Sequence, residues 1–225
     1  MAKIYLFRHG ETHFNKQKRF TGWMDATWTT EGKKNAQTTA RKLKSKTIHV
    51  AFSSHLKRSR GTLAEVLKFH PECKMKFIDD RMIERCYGRL QGHSHNAFIA
   101  QHGKELFDLY HRSYDFPPPN GESVRMVENR VTPFIKLLVK FIKKYNVNVA
   151  ISAHGNSMRP FRKKFEKLST KQMMTLENPY DNSFEYTIPT KGKTVMPKKS
   201  VWKEARLPKH VLVASDKHNN LKKYY

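Results

Sequence analysis

The chain has 225 residues and a formal net charge of +25, with 44 Lys and Arg against 19 Asp and Glu. At this length one large domain is the default, and the charge favours anionic partners, including non-specific nucleic-acid binding, without choosing among them. Two cysteines are too few for a disulfide scaffold, and we find no secretory signal and no stretch with the ~18 apolar residues that a membrane span needs. We therefore expect a cytoplasmic protein with no membrane partner.

Apolar segments short enough to be buried strands alternate along the chain with segments of helical spacing. The predicted strands span residues 4–7, 48–52, 74–78, 147–151 and 183–188, and the predicted helices span residues 33–44, 56–69, 96–110, 124–142 and 158–168. Ser123 is placed to cap the fourth of these helices, and Pro133 predicts a kink within it. Because strands that alternate with helices form a mainly parallel sheet covered on both faces, we expect a three-layer α/β/α fold.

The sequence shows no convincing domain boundary before residue 190. We therefore predict one catalytic domain over residues 1–190. Residues 191–225 contain ten Lys or Arg against two acidic residues and form a basic C-terminal tail whose structure the sequence does not predict.

The first predicted strand ends in Arg8-His9-Gly10, and the fourth is followed by His154-Gly155. In an open α/β sheet, ligands bind outside the carboxyl ends of the strands. An arginine there offers a planar donor fork to phosphate oxygens, a neutral imidazole can act as a nucleophile, and a glycine lets the backbone approach an anion. Taken alone, however, Arg-His-Gly is equally compatible with an ordinary strand end.

Other strand ends carry reactive side chains as well. Reactive side chains follow four of the strands, in the segments Arg8-His9, 53–60, Glu84-Arg85 and His154. Carboxyl ends of parallel strands share one edge, so these groups can converge there. Such a set suits phosphoryl transfer without a metal, because arginines stabilise the phosphoryl oxygens, histidine attacks phosphorus and a carboxylic acid protonates the leaving oxygen. The absence of a P-loop, of zinc-ligand spacing and of a dinucleotide fingerprint argues against nucleotide hydrolysis and metal catalysis.

Several longer segments support this interpretation. They are RHGET at residues 8–12, FTGW at 20–23, ERCYGRLQG at 84–92, RSYD at 112–115, GES at 121–123 and AHGNSMR at 153–159. In this order they resemble the histidine phosphatase superfamily and, within it, the cofactor-dependent phosphoglycerate mutases, over residues 3–190. A phosphatase relative would share the first and last segments but would not be expected to match the middle ones so fully. The resemblance implies a phosphoglycerate-mutase-like fold.

The resemblance also implies a role for each matching residue. His9 is the nucleophile that becomes a phosphohistidine, and Glu84 is the general acid and base. The residues implied to hold the phosphoryl group are Arg8, Arg58 and His154, with Asn15, Gly155 and Asn156 nearby. Those implied to bind the rest of the substrate are Thr21, Gly22, Arg85, Tyr87, His95, His111 and Arg112.

The implied reaction interconverts 3-phosphoglycerate and 2-phosphoglycerate, which are small phosphorylated three-carbon acids. The implied cofactor is 2,3-bisphosphoglycerate, which primes the histidine, and no metal takes part. Relatives are commonly dimers or tetramers, so a homo-oligomer is a further expectation.

The chain departs from the family pattern at several places. His95 stands where a lysine is usual, and His111 stands where the first of two adjacent arginines is usual. Two fixed cations thereby become groups expected to titrate near pH ~6.5, which puts the balance between mutase and phosphatase activity in question. Residues 178–182, Asn-Pro-Tyr-Asp-Asn, replace the Pro-Thr-Gly that is usual near the end of the fold.

Two alternatives therefore stand beside the mutase. One is a phosphomonoesterase of the same superfamily with an altered substrate pocket, for which His95 and His111 are the argument. The other is a nucleic-acid-binding protein on a mutase scaffold, for which the net charge and the basic tail are the argument; its binding would weaken steeply with added salt.

Overall fold

A computed structural model describes residues 1–207 of the chain. The strands are β1 (Ala2–Arg8), β2 (Val50–Ser53), β3 (Met75–Ile78), β4 (Val149–Ala153) and β5 (Ser183–Ile188). The α-helices are α1 (His13–Lys16), α2 (Thr30–Leu43), α3 (Lys57–Leu67), α4 (His95–His102), α5 (Lys104–Arg112), α6 (Val124–Tyr145), α7 (Gly155–Phe165) and α8 (Thr170–Met174). Short 3₁₀ turns span Asp80–Met82, Gly88–Leu90 and Lys199–Val201.

The five strands form one sheet in the order β3-β2-β4-β1-β5. The first four are parallel, whereas β5 runs antiparallel to β1 at the edge. The pairing of Arg8 with Ala153 sets the ends of β1 and β4 side by side, so the residues that follow each strand meet at one edge. The predicted mainly parallel sheet is confirmed.

Alternate residues of each strand pack on opposite faces of the sheet, as the period of two requires. Leu6 and Phe52 belong to one apolar cluster, with side chains of α6 and α7. Phe7 and Ala51 belong to another, with side chains of α2 and α3. Helices therefore cover both faces, and the three-layer α/β/α architecture is confirmed.

Helix α6 is the longest element, and its limits follow from its sequence. The Ser123 hydroxyl accepts a hydrogen bond from the Met126 amide (3.1 Å), which caps the first turn. Asn146 adopts a left-handed conformation (φ 49°) and ends the helix. Pro133 lies inside the helix, which continues past it to Tyr145.

The single helix predicted over residues 96–110 is wrong, because the structure has two helices there. Gly103 separates α4 from α5 with φ +86°, a conformation that favours glycine. The change of direction lets Phe98 and Phe107 pack in one cluster around Phe20.

Residues 191–207, the described part of the predicted tail, pack against the domain. Trp202 is buried in the α6 side of the core beside Phe52, and its indole N–H donates to Asp79 (3.1 Å). The Asp80 amide donates to the Ala205 carbonyl (2.6 Å). The domain boundary after residue 190 stays a prediction, and residues 208–225 lie outside the described part of the chain. No helix within residues 1–207 is long and apolar enough to cross a membrane.

Candidate active site

A cavity of about 680 Å³ opens at the carboxyl edge of the sheet, where the sequence places the reactive groups. The predicted site residues among its lining are Arg8, Asn15, Thr21, Gly22, Glu84, Tyr87, His95, His111, Arg112, Gly155 and Asn156. His9, Arg58 and His154 are buried, and His9 and His154 each present a ring nitrogen within 4.8 Å of a Glu84 carboxyl oxygen. Of the predicted set, only Arg85 lies elsewhere among the described residues.

His9 follows the last residue of β1, and its amide donates to the Ala153 carbonyl (3.1 Å), which fixes the backbone. Its Nδ1 lies 2.8 Å from the Gly10 carbonyl, which can only accept, so Nδ1 carries the proton and Nε2 has a lone pair. Burial, with the nearby charges of Arg58 and Arg8, holds the pKa of His9 well below 6.5. The ring is therefore neutral at neutral pH, the form that attacks an electrophile.

Arg58 reaches this ring from the first turn of α3, and its Nε donates to Nε2 of His9 (3.3 Å). The other two nitrogens donate to the carbonyls of Met24 and Gly22, each at 2.7 Å. Burial lowers the pKa of Arg58 to about 10, so the guanidinium is still charged at neutral pH. Gly22 has φ +53°, and a Cβ there would lie 2.0 Å from the Gln91 side chain, so only glycine fits this turn.

His154 follows β4 and precedes α7, with its ring 5.0 Å from that of His9. Its Nε2 lies 2.7 Å from the Ser54 hydroxyl, while its buried Nδ1 has no hydrogen-bond partner among the described residues. Burial first, and then the Arg58 charge, hold the pKa of His154 well below 6.5. Helix α7 begins at Gly155, earlier than the predicted residue 158, so its amino terminus lies at the site, where it favours an anion.

Glu84 brings a carboxyl group to the same place. Its Oε1 accepts from the amides of Arg85 (2.8 Å) and Asn156 (3.1 Å), which fix its direction. Glu84, His9 and His154 each present a ligand atom within 4.8 Å of the others, a spacing that a metal ion could bridge. The guanidinium groups beside them make the site favour an anion over a cation.

Arg8 is held by the segment that replaces Pro-Thr-Gly. One of its terminal nitrogens donates to the Asn178 carbonyl (2.9 Å), and its guanidinium lies over the Tyr180 ring, 3.9 Å from the centroid. The Asn178 side chain also donates to the Gly155 carbonyl (2.9 Å), so one residue supports both Arg8 and the start of α7. Neither Asn178 nor Tyr180 was predicted as a site residue, because the segment matches no family pattern.

Replacing Tyr180 by alanine is expected to lower kcat/KM for a phosphate ester about tenfold. This factor corresponds to the free energy of a partly buried cation–π contact, which here orients Arg8. Tyr180→Phe should keep nearly full activity, because the ring and not the hydroxyl covers Arg8. Steady-state kinetics of both variants test this. Equal losses in both, or no loss in Tyr180→Ala, would contradict it.

The other end of the cavity has an aromatic wall. The His95 ring lies 4.3 Å from that of Phe20, and the His111 ring stacks 4.9 Å from that of Phe107. Burial lowers the pKa of His95, helped by Lys18. Burial, with repulsion from His95 when that ring is protonated, lowers the pKa of His111 to about 3. The expectation that they titrate near pH 6.5 is thus wrong, and both rings are neutral at neutral pH.

Arg85 has a structural role in place of the predicted substrate contact. Its side chain is fully buried and donates to the carbonyls of Glu122 (2.6 Å), Tyr110 (2.7 Å) and His111 (3.2 Å). With its donors occupied by backbone oxygens, it ties the loop that carries Glu84 to α5.

Arg159 lines the cavity from α7 but was not predicted as a site residue. Its guanidinium donates to the carbonyls of Met173 and Met174, both at 2.7 Å. The sequence held a usable signal, since Arg159 lies four residues after Gly155 and thus on the same side of α7.

The buried neutral histidines make stability depend on pH. His9, His95, His111 and His154 have lowered pKa values, so below pH ~6.5 the unfolded chain binds protons that the folded one does not. Stability is therefore fully present above that pH and is lost as the pH falls, by up to about 1.4 kcal/mol per pH unit for each such histidine.

Urea unfolding at several pH values between about 7.5 and 5.5 measures this slope, a range that lies above the titration of ordinary carboxylates. The His111→Phe variant should show a shallower slope. A free energy of unfolding that is flat over this range would contradict the prediction.

The fold and this set of groups define an enzyme of phosphate-ester chemistry, built around a neutral buried histidine between guanidinium groups. The sequence model of the histidine phosphatase superfamily, branch 1, matches residues 4–195, and the chain belongs to this superfamily. The family resemblance seen in the sequence is confirmed.

Two curated relatives cover most of the chain. A 2,3-bisphosphoglycerate-dependent phosphoglycerate mutase of Methanococcus vannielii is 33% identical over 218 residues, covering 85% of this chain and 93% of that protein. A phosphoglycerate mutase of Schizosaccharomyces pombe is 35% identical over 196 residues, covering 85% of this chain and 92% of that protein.

Solved structures agree on the fold. Bacillus stearothermophilus YhfR matches with a TM-score of 0.73 at 20% identity, over 87% of this chain and 99% of that chain. A mycobacterial glucosyl-3-phosphoglycerate phosphatase matches with a TM-score of 0.68 at 22% identity, over 78% of this chain and 84% of that chain.

Proposed function

We propose that this enzyme is a phosphoglycerate mutase, which interconverts 3-phosphoglycerate and 2-phosphoglycerate through a phosphohistidine at His9. The names of the relatives at 33% and 35% identity support the proposal. The observation that carries its phosphohistidine step is the geometry of His9, whose Nδ1–H donates to the Gly10 carbonyl while its Nε2 has a lone pair beside Arg58. In this proposal 2,3-bisphosphoglycerate is the primer.

The cavity suits such a primer. A molecule with two phosphates and a carboxylate needs several cations, and Arg8, Arg19, Arg112 and Arg159 all line the cavity. Arg8, Arg19 and Arg159, together with the exposed Arg112, would hold it. When bound, it supplies the phosphoryl group that the histidine takes up.

His9 acts as the nucleophile. Its Nε2 forms the bond to phosphorus as the bond from phosphorus to the ester oxygen breaks, while Nδ1 keeps its proton and its hydrogen bond to the Gly10 carbonyl. Arg8, Arg58 and the amino terminus of α7 surround the phosphoryl oxygens with positive charge, and this charge is already in place before the reaction. His154 borders the same position, held by Ser54.

Glu84 moves the proton that the ester oxygen needs. Its fixed carboxyl group gives a proton to the departing oxygen, then takes one from the hydroxyl of the acceptor that attacks the phosphohistidine. The two backbone amides on Oε1 leave Oε2 to carry that proton. The net result moves the phosphate between neighbouring oxygens of the three-carbon acid.

A phosphomonoesterase is the second candidate, and a specific observation favours it. His95 and His111 are neutral in the cavity wall where the mutase pattern has two fixed cations. A weaker hold on the carboxylate and second phosphate would release the dephosphorylated product before the second transfer. Water would then receive the phosphoryl group.

One assay separates the two functions. Conversion of 3-phosphoglycerate to 2-phosphoglycerate is measured with and without 2,3-bisphosphoglycerate, and phosphate release is recorded in parallel. Conversion that depends on the bisphosphate and exceeds phosphate release supports the mutase. Phosphate release from small esters without conversion would overturn the mutase in favour of the phosphatase.

A second arm tests the role of the two histidines. The double variant His95→Lys, His111→Arg should raise the ratio of conversion to phosphate release, because it restores the cations of the mutase pattern. His102→Lys is the matched control, since it adds a cation on α4 at an exposed position outside the cavity lining. If the ratio of conversion to phosphate release changed equally in the double variant and in His102→Lys, the effect would not be specific to positions 95 and 111.

A further inference from the structure

A second cavity, of about 550 Å³, lies between α3, the edge strand β3 and residues 199–206, and we call it the α3–β3 groove. It shares no lining residue with the catalytic cavity. Its volume is within the range of small-molecule sites in proteins. Nothing in the proposed phosphoryl transfer uses it.

The floor of the groove is apolar. Leu63 and Leu67 lie one turn apart on α3 and so share a face, and Ile78 of β3 lies across from them. Trp202 closes the edge, with its indole N–H engaged by Asp79 and its ring packed on Phe52. This surface offers contact to a flat apolar group, as Leu67 and Ile78 are only partly buried.

The rim of the groove is strongly cationic. Arg60, Lys76 and Lys199 are exposed, and none of them pairs with a carboxylate within residues 1–207. Glu204 is the one acidic side chain in the lining, and it is engaged twice: Oε1 accepts from the Ile78 amide (2.8 Å) and Oε2 from Arg206 (2.6 Å). The charges that remain uncompensated in the lining are therefore positive, and they surround an apolar floor.

From this arrangement we propose that the α3–β3 groove is a second binding site, for a small anionic molecule with a flat apolar body and a phosphate, sulfonate or carboxylate head. The apolar body lies on the α3 leucines and Ile78, and the head meets Lys76 and Lys199. A bound anion reduces the repulsion between these cationic side chains, and it accepts charge-assisted hydrogen bonds from them.

The groove also lies next to catalytic residues. Ser53 lines it, and the adjacent Ser54 holds His154. Arg60 lines it, and Arg58, two residues earlier on α3, holds His9. An occupant therefore contacts the same strand end and helix turn that position the catalytic groups, from the opposite side.

Fluorescence with 8-anilinonaphthalene-1-sulfonate, an anionic flat aromatic, tests the proposal on the full-length protein. One equivalent is expected to bind and to quench Trp202 by energy transfer. The double variant Lys76→Glu, Lys199→Glu should weaken binding about tenfold or more, as expected for the loss of charge-assisted contacts. Trp202→Phe should keep the binding and lose that quenching.

Arg112→Glu is the matched control, because it reverses a charge at the catalytic cavity and not at the groove. Unchanged affinity in this variant supports the groove as the site. Equal weakening in both charge-reversed proteins, or binding of many equivalents, would overturn the proposal. Displacement of the probe by a single-stranded oligonucleotide but not by small aryl phosphates would also overturn it, in favour of a nucleic-acid surface.

Discussion

The His9→Gln variant is expected to fold normally, to form no phosphoenzyme and to lose both mutase and phosphatase activity by at least about a thousandfold. Glutamine keeps a polar side chain of similar length, so Arg58 retains an acceptor near its Nε. It has no ring nitrogen with a lone pair to attack phosphorus, and the route through a covalent intermediate is closed. Every reaction proposed for this site passes through that one step.

The measurement is incorporation of radiolabelled phosphate from 2,3-bisphosphoglycerate, followed by the acid lability that marks a phosphohistidine. His102→Gln, at an exposed position on α4, is the control and should label like the wild type. His154→Gln distinguishes the proposed roles of His9 and His154, since this variant should still be labelled, but slowly. Undiminished labelling of His9→Gln would move the nucleophile to His154 and contradict the proposal.

Much of the site followed from the sequence because it depends on strand ends. His9 and His154 each follow a buried apolar strand, and parallel strands bring their carboxyl ends to one edge whatever the details of packing. The same argument placed Arg58, which lies in the first turn of the helix that follows β2. The order of strands and helices along the chain sets these positions, and the hydrophobic periodicity of the sequence predicts that order.

The parts that could not be predicted depend on tertiary packing. Arg85 and Arg112 look alike in the sequence, yet Arg85 is buried with its donors on three carbonyls while Arg112 is exposed at the cavity rim. The pKa of His95 is lowered by burial, and its ring packs on Phe20 from a distant segment; the pKa of His111 is lowered by burial, and its ring stacks on Phe107 one turn earlier on α5. No pattern local to His95 carries that information, and the spacing of Phe107 and His111 does not by itself show that this face of α5 is buried.

Other site features could not be predicted because they lie in segments that depart from the family pattern. Asn178 and Tyr180 support Arg8 through a backbone carbonyl and a ring face, and neither contact has a sequence signature. Trp202 stands in a lysine-rich segment, yet its burial beside Phe52 fixes the path of residues 199–206. The support of Arg8 and the burial of Trp202 both come from segments without a family pattern that pack against the core of the fold.

Glu84→Gln is expected to lower turnover of 3-phosphoglycerate by about a hundredfold to ten-thousandfold, the usual worth of a positioned general acid. Glutamine still accepts from the amides of Arg85 and Asn156, so its side chain stays in place. What it lacks is a proton that can be given to an alkoxide-like leaving oxygen. Glu177→Gln, in the same cavity lining but exposed, is the matched control and should keep nearly full activity.

The choice of leaving group makes this prediction specific to proton transfer. A p-nitrophenolate ion leaves without a proton, so Glu84→Gln should transfer phosphate from p-nitrophenyl phosphate to His9 at close to the wild-type rate in a single-turnover experiment. The alkyl ester needs the proton and should show the full loss. If both substrates lost activity equally, Glu84 would be acting through the orientation of Asn156 and α7, and another group would have to supply the proton. A loss confined to the alkyl ester would assign the proton to the carboxyl group that the 84–92 loop holds at the end of the sheet.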